Sequence, residues 1–277
     1  MSVGQLRDNA ITSLFGQPKI VIGVIHSRAL PGAPRYSGGP VSEIYDYALA
    51  EAQRYAEAGV DGLIVENHGD IPFLKPDAIG PETAACMAIM TERVRVATGL
   101  QIGVNVLANG ALQALSIAQA AGASFIRVNQ WSNAYVANEG IVEGPAAMAL
   151  RYRKTIGAEA VRVFADVHVK HGAHAITADR SIEELARDNE FFDADVAIAT
   201  GQRTGNAATQ EELATIAGAT SLPVVVGSGV NESNVERIMS IASGVIVASS
   251  LKKDGVWWNP VDPARARSFM RVVEDLR

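Results

Sequence analysis

Apolar residues in this chain gather in short, unbroken runs separated by longer segments of mixed character. Four runs share one signature, a helix end followed by a small-residue turn and a Val/Ile-rich stretch, at residues 59–66, 122–129, 194–200 and 242–249. Four more, at residues 19–26, 100–106, 161–167 and 222–226, alternate with them. Continuous apolar runs of this length describe strands buried on both faces, as in a parallel sheet. The intervening alanine-rich segments, among them residues 43–58, 83–98, 111–121, 146–156 and 210–219, carry helical spacing. Eight strands alternating with helices predict an α/β chain closed into a single (β/α)8 TIM barrel, one domain over residues 1–277. The competing architecture, an open doubly wound sheet, lacks the Gly-x-Gly-x-x-Gly turn that a dinucleotide fold places after its first strand. No cofactor is expected.

Composition narrows the partners. With 48% hydrophobic residues the chain can bury a large core, and its net charge of -6 with no long Lys/Arg run argues against nucleic acid. The apolar runs are too short to cross a bilayer and the N-terminus has no basic-then-apolar leader pattern, so a cytoplasmic protein without membrane insertion is expected. The lone Cys86, in a helix-like apolar stretch, reads as a buried spectator. Barrels of this kind often form homo-oligomers.

In a TIM barrel the chemistry collects where strands end, so the polar residues there are read as a set. Gly227-Ser228-Gly229 follows the seventh strand, and Ser249-Ser250 follows the eighth. Glycines let backbone N–H groups approach an anion, and a helix beginning near residues 231–234 would add its positive end. A phosphorylated small-molecule substrate is the expectation. His26 ends the first strand, Glu66-Asn67 the second and Asn105 the third, while Arg127 and Asn129 alternate on the fourth and Thr200 closes the sixth. The fifth runs Asp166-Val167-His168-Val169-Lys170, whose i, i+2, i+4 spacing predicts an acid, an imidazole and an amine on one strand face. Asp166, Glu66, His168 and Lys170 are the candidate catalytic groups. His26, Asn67, Asn105, Arg127, Asn129 and Thr200 are candidate substrate contacts.

His168, His171 and His174 near Asp166 and Glu66 raise a metal reading, but no His-x-His follows the first strand. No metal is expected. Trp131 and Tyr135 suit either a lid or packing, and Trp257 and Trp258 suit packing or an interface.

These stretches together resemble the BtpA/SgcQ family over nearly the whole chain: Ile22-Gly23-Val24-Ile25-His26 with Leu30-Pro31-Gly32, residues 60–67, 103–107 and 125–129, 165–171, and Val226-Gly227-Ser228-Gly229-Val230. The resemblance implies a barrel of the ribulose-phosphate-binding type, and family names link it to photosystem I biogenesis and to sugar utilisation. The chain departs from the family pattern at Ala108 and Gly110, where a cation and an acid are usual, at His68, where an aromatic is usual, and in the loop beginning at Gln130. Retained anion binding with an altered specificity pocket is the expectation. Three functions are open: an enzyme on a phosphorylated sugar working as isomerase, epimerase or aldolase; a non-catalytic assembly or regulatory factor; and a nucleoside or glycosyl hydrolase or transferase using Asp166 and Glu66 as paired carboxylates.

Overall fold

A computed structural model of the chain describes residues 8–201 and 208–277. The eight expected strands form, each a few residues shorter than its apolar run: β1 (Ile20–His26), β2 (Gly62–Glu66), β3 (Gln101–Asn105) and β4 (Phe125–Val128). An antiparallel hairpin follows, β5 (Ala134–Ala137) and β6 (Gly140–Glu143), then β7 (Arg162–Asp166), β8 (Val196–Ala199), β9 (Val224–Val226) and β10 (Gly244–Val247). The sheet closes in the order β1-β10-β9-β8-β7-β4-β3-β2, with every pairing parallel. The chain is a TIM barrel.

The strands are buried on both faces, which is why their sequence runs show no alternation. The two-residue period nonetheless sorts them. Ile20, Ile22, Val24, Ile64, Phe125, Phe164, Val196, Ile198, Val225 and Ile246 form one inner cluster, while their neighbours join the larger cluster under the helices. Phe125 and Phe164 stack at 4.3 Å between centroids within this inner cluster. Gly103 makes room for them, since a Cβ there would lie 2.2 Å from the Phe125 ring. A short helix, Ala10–Phe15, closes the N-terminal end with fully buried Ile11 in the inner cluster and Phe15 edge-on to Phe125 at 6.2 Å.

The helices Ser42–Ala58, Pro81–Thr98, Ala111–Ala121, Ala146–Thr155 and Gln210–Ala219 match the helical segments of the sequence. Two differences matter for the site. The β5–β6 hairpin occupies what the sequence offered only as a loop. The helix after β9, Val235–Met239, is a single short turn, and ahead of it the Asn231 N–H donates to Asn234 Oδ1 at 2.9 Å. Cys86 is a buried free thiol, as expected.

Candidate active site

Parallel register assembles the first wall of the site. His26 on β1 lies opposite Glu66 on β2, and Glu66 opposite Asn105 on β3, so three consecutive strand ends present their side chains at one level. All three are buried. Asn105 Nδ2 donates to Glu66 Oε2 at 2.7 Å, and His68, from the turn after β2, places Nδ1 2.9 Å from Oε1. His26 Nε2 stands 3.7 Å from the same Oε1, and its Nδ1 donates to the Trp257 carbonyl at 3.2 Å. Burial pushes His26 down to about 3, more than Glu66 can offset, so its imidazole is neutral at pH 7. Burial alone would raise Glu66, but the His68 hydrogen bond, the histidines and Arg127 outweigh it and hold the carboxyl well below the usual range.

The second wall comes from β4 and β7. Arg127 donates from Nε and Nη2 to the two oxygens of Asp166, each at 3.1 Å, and Asn129 Nδ2 adds a bond to Oδ2 at 3.2 Å. Two parallel bonds fix the guanidinium plane. Asp166 lies beneath the cavity surface rather than on it, whereas Arg127 and Asn129 line it. The acceptors Asn105 Oδ1 and Asn129 Oδ1, on two residues that line the cavity, are buried with no hydrogen-bond partner.

Lys170 forms a third feature. The strand ends at Asp166, and the chain then bends and reaches a left-handed turn at His171 (φ 63°), so the expected i, i+2, i+4 face does not continue. His168 is carried out of the cavity and packs its ring, tilted by 31°, against His174 at 3.8 Å between centroids, while its carbonyl accepts from Thr200 Oγ1 at 2.9 Å. Burial and the neighbouring His174 lower His168. Lys170 remains at the cavity and donates to Ser228 Oγ at 3.3 Å. Burial first, then the Arg127 charge, brings it down to about 8 against the opposing pull of Asp166 and Glu66. That pKa leaves a usable fraction of neutral amine near physiological pH.

The cavity spans about 660 Å³ at the C-terminal ends of the strands. Gly227, Ser228, Gly229, Ser249 and Ser250 line one side. Gly227 is required there, because a Cβ would lie 2.7 Å from Ile198 and 3.4 Å from Arg127. Ser250 Oγ donates to the Val230 carbonyl at 2.7 Å and ties the two loops together. The hairpin contributes Tyr135 and residues 137–139, and Ala108 lines the wall beside them. Asn109 anchors the hairpin through bonds to the Gln130 and Glu143 carbonyls, at 3.0 and 3.2 Å.

Two expected contacts lie elsewhere. Asn67 accepts from Leu107 N at 2.7 Å and donates to Asp70 and the Leu107 carbonyl, so its amide is engaged in joining two loops. Thr200 serves the join between β7 and β8. Trp131 is core, donating to the Phe192 carbonyl at 2.8 Å. Trp257, read in the sequence as packing or interface, instead lines the cavity against His26 and His68, with ring centroids 5.7 and 4.4 Å away. His68 and Trp257 are the site residues that sequence reasoning missed. The one available signal was the Glu66-x-His68 spacing.

A model of the BtpA family matches residues 17–275. The chain belongs to the BtpA family. An uncharacterised mitochondrial protein of Caenorhabditis elegans is 38% identical over 93% of this chain and 94% of its own length. The photosystem I biogenesis protein BtpA of Synechocystis is also 38% identical, over 92% of this chain and 88% of its own. Among solved structures, N-(5'-phosphoribosyl)anthranilate isomerase from Pyrococcus furiosus superposes with a TM-score of 0.56 at 16% identity, covering 93% and 99% of the two chains. Orotidine 5'-phosphate decarboxylase from Pyrococcus horikoshii also gives 0.56, at 12% identity, covering 91% and 99%. At those identities the likeness concerns the barrel fold. No helix among the described residues is long and apolar enough to cross a membrane.

Proposed function

We propose that this BtpA-family barrel is an enzyme acting on a phosphorylated, hydroxyl-bearing carbonyl compound. The carrying observation is Lys170, an amine held to about 8 at the cavity wall and hydrogen-bonded to Ser228 of the Gly227–Gly229 loop. The loops around Gly227 and Ser249 take the phosphate, as the last two strands of such barrels commonly do. The unsatisfied Asn105 and Asn129 oxygens accept substrate hydroxyls. The neutral Lys170 amine either removes the proton next to the carbonyl or adds to the carbonyl with loss of water, and the resulting iminium stabilises the carbanion left by carbon–carbon cleavage. Arg127 supplies fixed positive charge to the developing enolate oxygen.

Asp166 takes a positioning role in this reading, because Arg127 and Asn129 already bind both its oxygens. Glu66 is likewise engaged on both oxygens, which weighs against a hydrolase built on paired free carboxylates. An assembly role, suggested by the name of the Synechocystis relative, remains the rival. Thermal unfolding against sugar phosphates, free sugars and nucleosides separates them. A ligand at a hundredfold excess over its Kd stabilises the fold by about 2.7 kcal/mol. The proposal expects a phosphosugar shift that Ser228→Asp removes, and borohydride trapping of any imine on wild type but not Lys170→Met. No shift from any phosphorylated compound would favour the assembly role.

A further inference from the structure

We propose that His26, Glu66 and His68 form a binding site for a divalent transition-metal ion of the zinc class. One nitrogen or oxygen of each residue lies within 4.8 Å of the others. Among the described residues no other cluster of three histidine, cysteine or acidic side chains meets that criterion. The three histidines that the sequence placed near one another, His168, His171 and His174, do not.

The tautomer of His26 makes the geometry specific. A carbonyl oxygen can only accept, so the 3.2 Å contact with Trp257 O places the proton on Nδ1. Nε2 is then the bare lone pair, and it faces Glu66 Oε1 at 3.7 Å. Two acceptors facing each other gain nothing unless a cation sits between them. His68, two residues on in the turn after β2, donates from Nδ1 to the same oxygen at 2.9 Å, a proton that an ion would displace on binding. Zinc holds its nitrogen and oxygen ligands at about 2.0–2.2 Å, so two donors sharing one ion stand roughly 3 to 4 Å apart. The two contacts to Glu66 already lie near this span. All the ligand atoms lie within 4.8 Å of one another, so a small movement completes the set, and His68, half-buried in its short turn, is the residue placed to make it.

The surroundings match the outer shell of such sites. A ligating histidine commonly donates its second ring N–H to a backbone carbonyl, as His26 does to Trp257. A ligating carboxylate is in turn hydrogen-bonded, as Glu66 is by Asn105 Nδ2 at 2.7 Å. Asn105 keeps Oδ1 buried and unpartnered at the same cavity, an acceptor suited to a metal-bound water. Two imidazoles and a carboxylate favour zinc, cobalt, manganese or iron over magnesium and calcium, which prefer oxygen ligands. Three protein ligands leave a coordination position open toward the cavity, the arrangement of catalytic rather than structural zinc sites.

The inference does not rest on the phosphorylated-substrate reading, and a test with metal alone keeps the two apart. The full-length protein, stripped with chelator and shown folded by circular dichroism, is titrated with Co2+ and then competed with Zn2+. The expected result is one Co2+ per chain with visible d–d absorption, displaced by Zn2+. His26→Gln and His68→Gln should each weaken the affinity at least tenfold while the circular dichroism stays unchanged. His68 lies in a turn, so that variant is read even if His26→Gln folds poorly. The proposal is overturned if folded wild-type protein binds no Co2+ or Zn2+, or if both glutamine variants bind as wild type does, which would place an adventitious ion elsewhere.

Discussion

Lys170 and Asp166 sit four residues apart, one facing the cavity and the other closed in beneath it. Lys170 is brought down to about 8 from an ordinary 10.5. The folded state therefore disfavours the charged amine, and the cost is present below about pH 8 and relieved as pH rises from 8 toward 10.5. Removing the amine with Lys170→Met should raise the unfolding midpoint most below pH 8, with the gap narrowing toward pH 10.5, measured by thermal scans across pH. Acylation of Lys170 by an amine-reactive reagent, followed by peptide mass spectrometry, should rise through an inflection near pH 8. For Asp166→Ala the expectation is a loss of about 3–5 kcal/mol in urea unfolding, since it strands the buried Arg127 charge. The sequence displayed both residues as polar groups at a strand end. It did not display which of them an arginine from the neighbouring strand would claim.

At the scale of elements, apolar run and small-residue turn were enough to mark every barrel strand. Tight spots in the sheet were not marked. Gly103 reads as an ordinary strand glycine until the Phe125 ring is seen crossing it at a distance no Cβ tolerates. Gly103→Ala should cost about 1–3 kcal/mol by overpacking, measured by urea unfolding. Ile11→Ala, at the closed end of the barrel, should cost about 2–5 kcal/mol and leave ligand binding at the far end unchanged. The β5–β6 hairpin escaped the sequence because its four-residue strands are half-exposed and held by tertiary contacts: Asn109 beneath, and Val136 bridging to Ala173. Likewise the Asp166–Lys170 alternation resembled a strand longer than the one that pairs, because pairing with β8 stops at Asp166.

For the whole molecule, closure of the sheet turns eight separate strand ends into one rim around one cavity. A buried ion pair ties the last connection to the body: Lys252 Nζ meets Glu51 at 3.2 Å, and both Glu51 oxygens accept the Val261 N–H. If the barrel folds as the single domain that its length and alternation suggest, urea transitions followed by tryptophan fluorescence and by circular dichroism should coincide. The sequence by itself determined the barrel, its strand count, the gathering of polar residues at the strand ends and the glycine-rich loop after β9. These follow from local period and from hydrophobicity, which a linear string records. Only the tertiary structure decided that His26, Glu66 and Asn105 stand side by side, that Trp257 and His68 join them, that Arg127 closes over Asp166, and that His168 leaves the cavity while Lys170 stays. Those outcomes depend on register between strands and on where loops far apart in the chain come to rest, and neither quantity has a local signature.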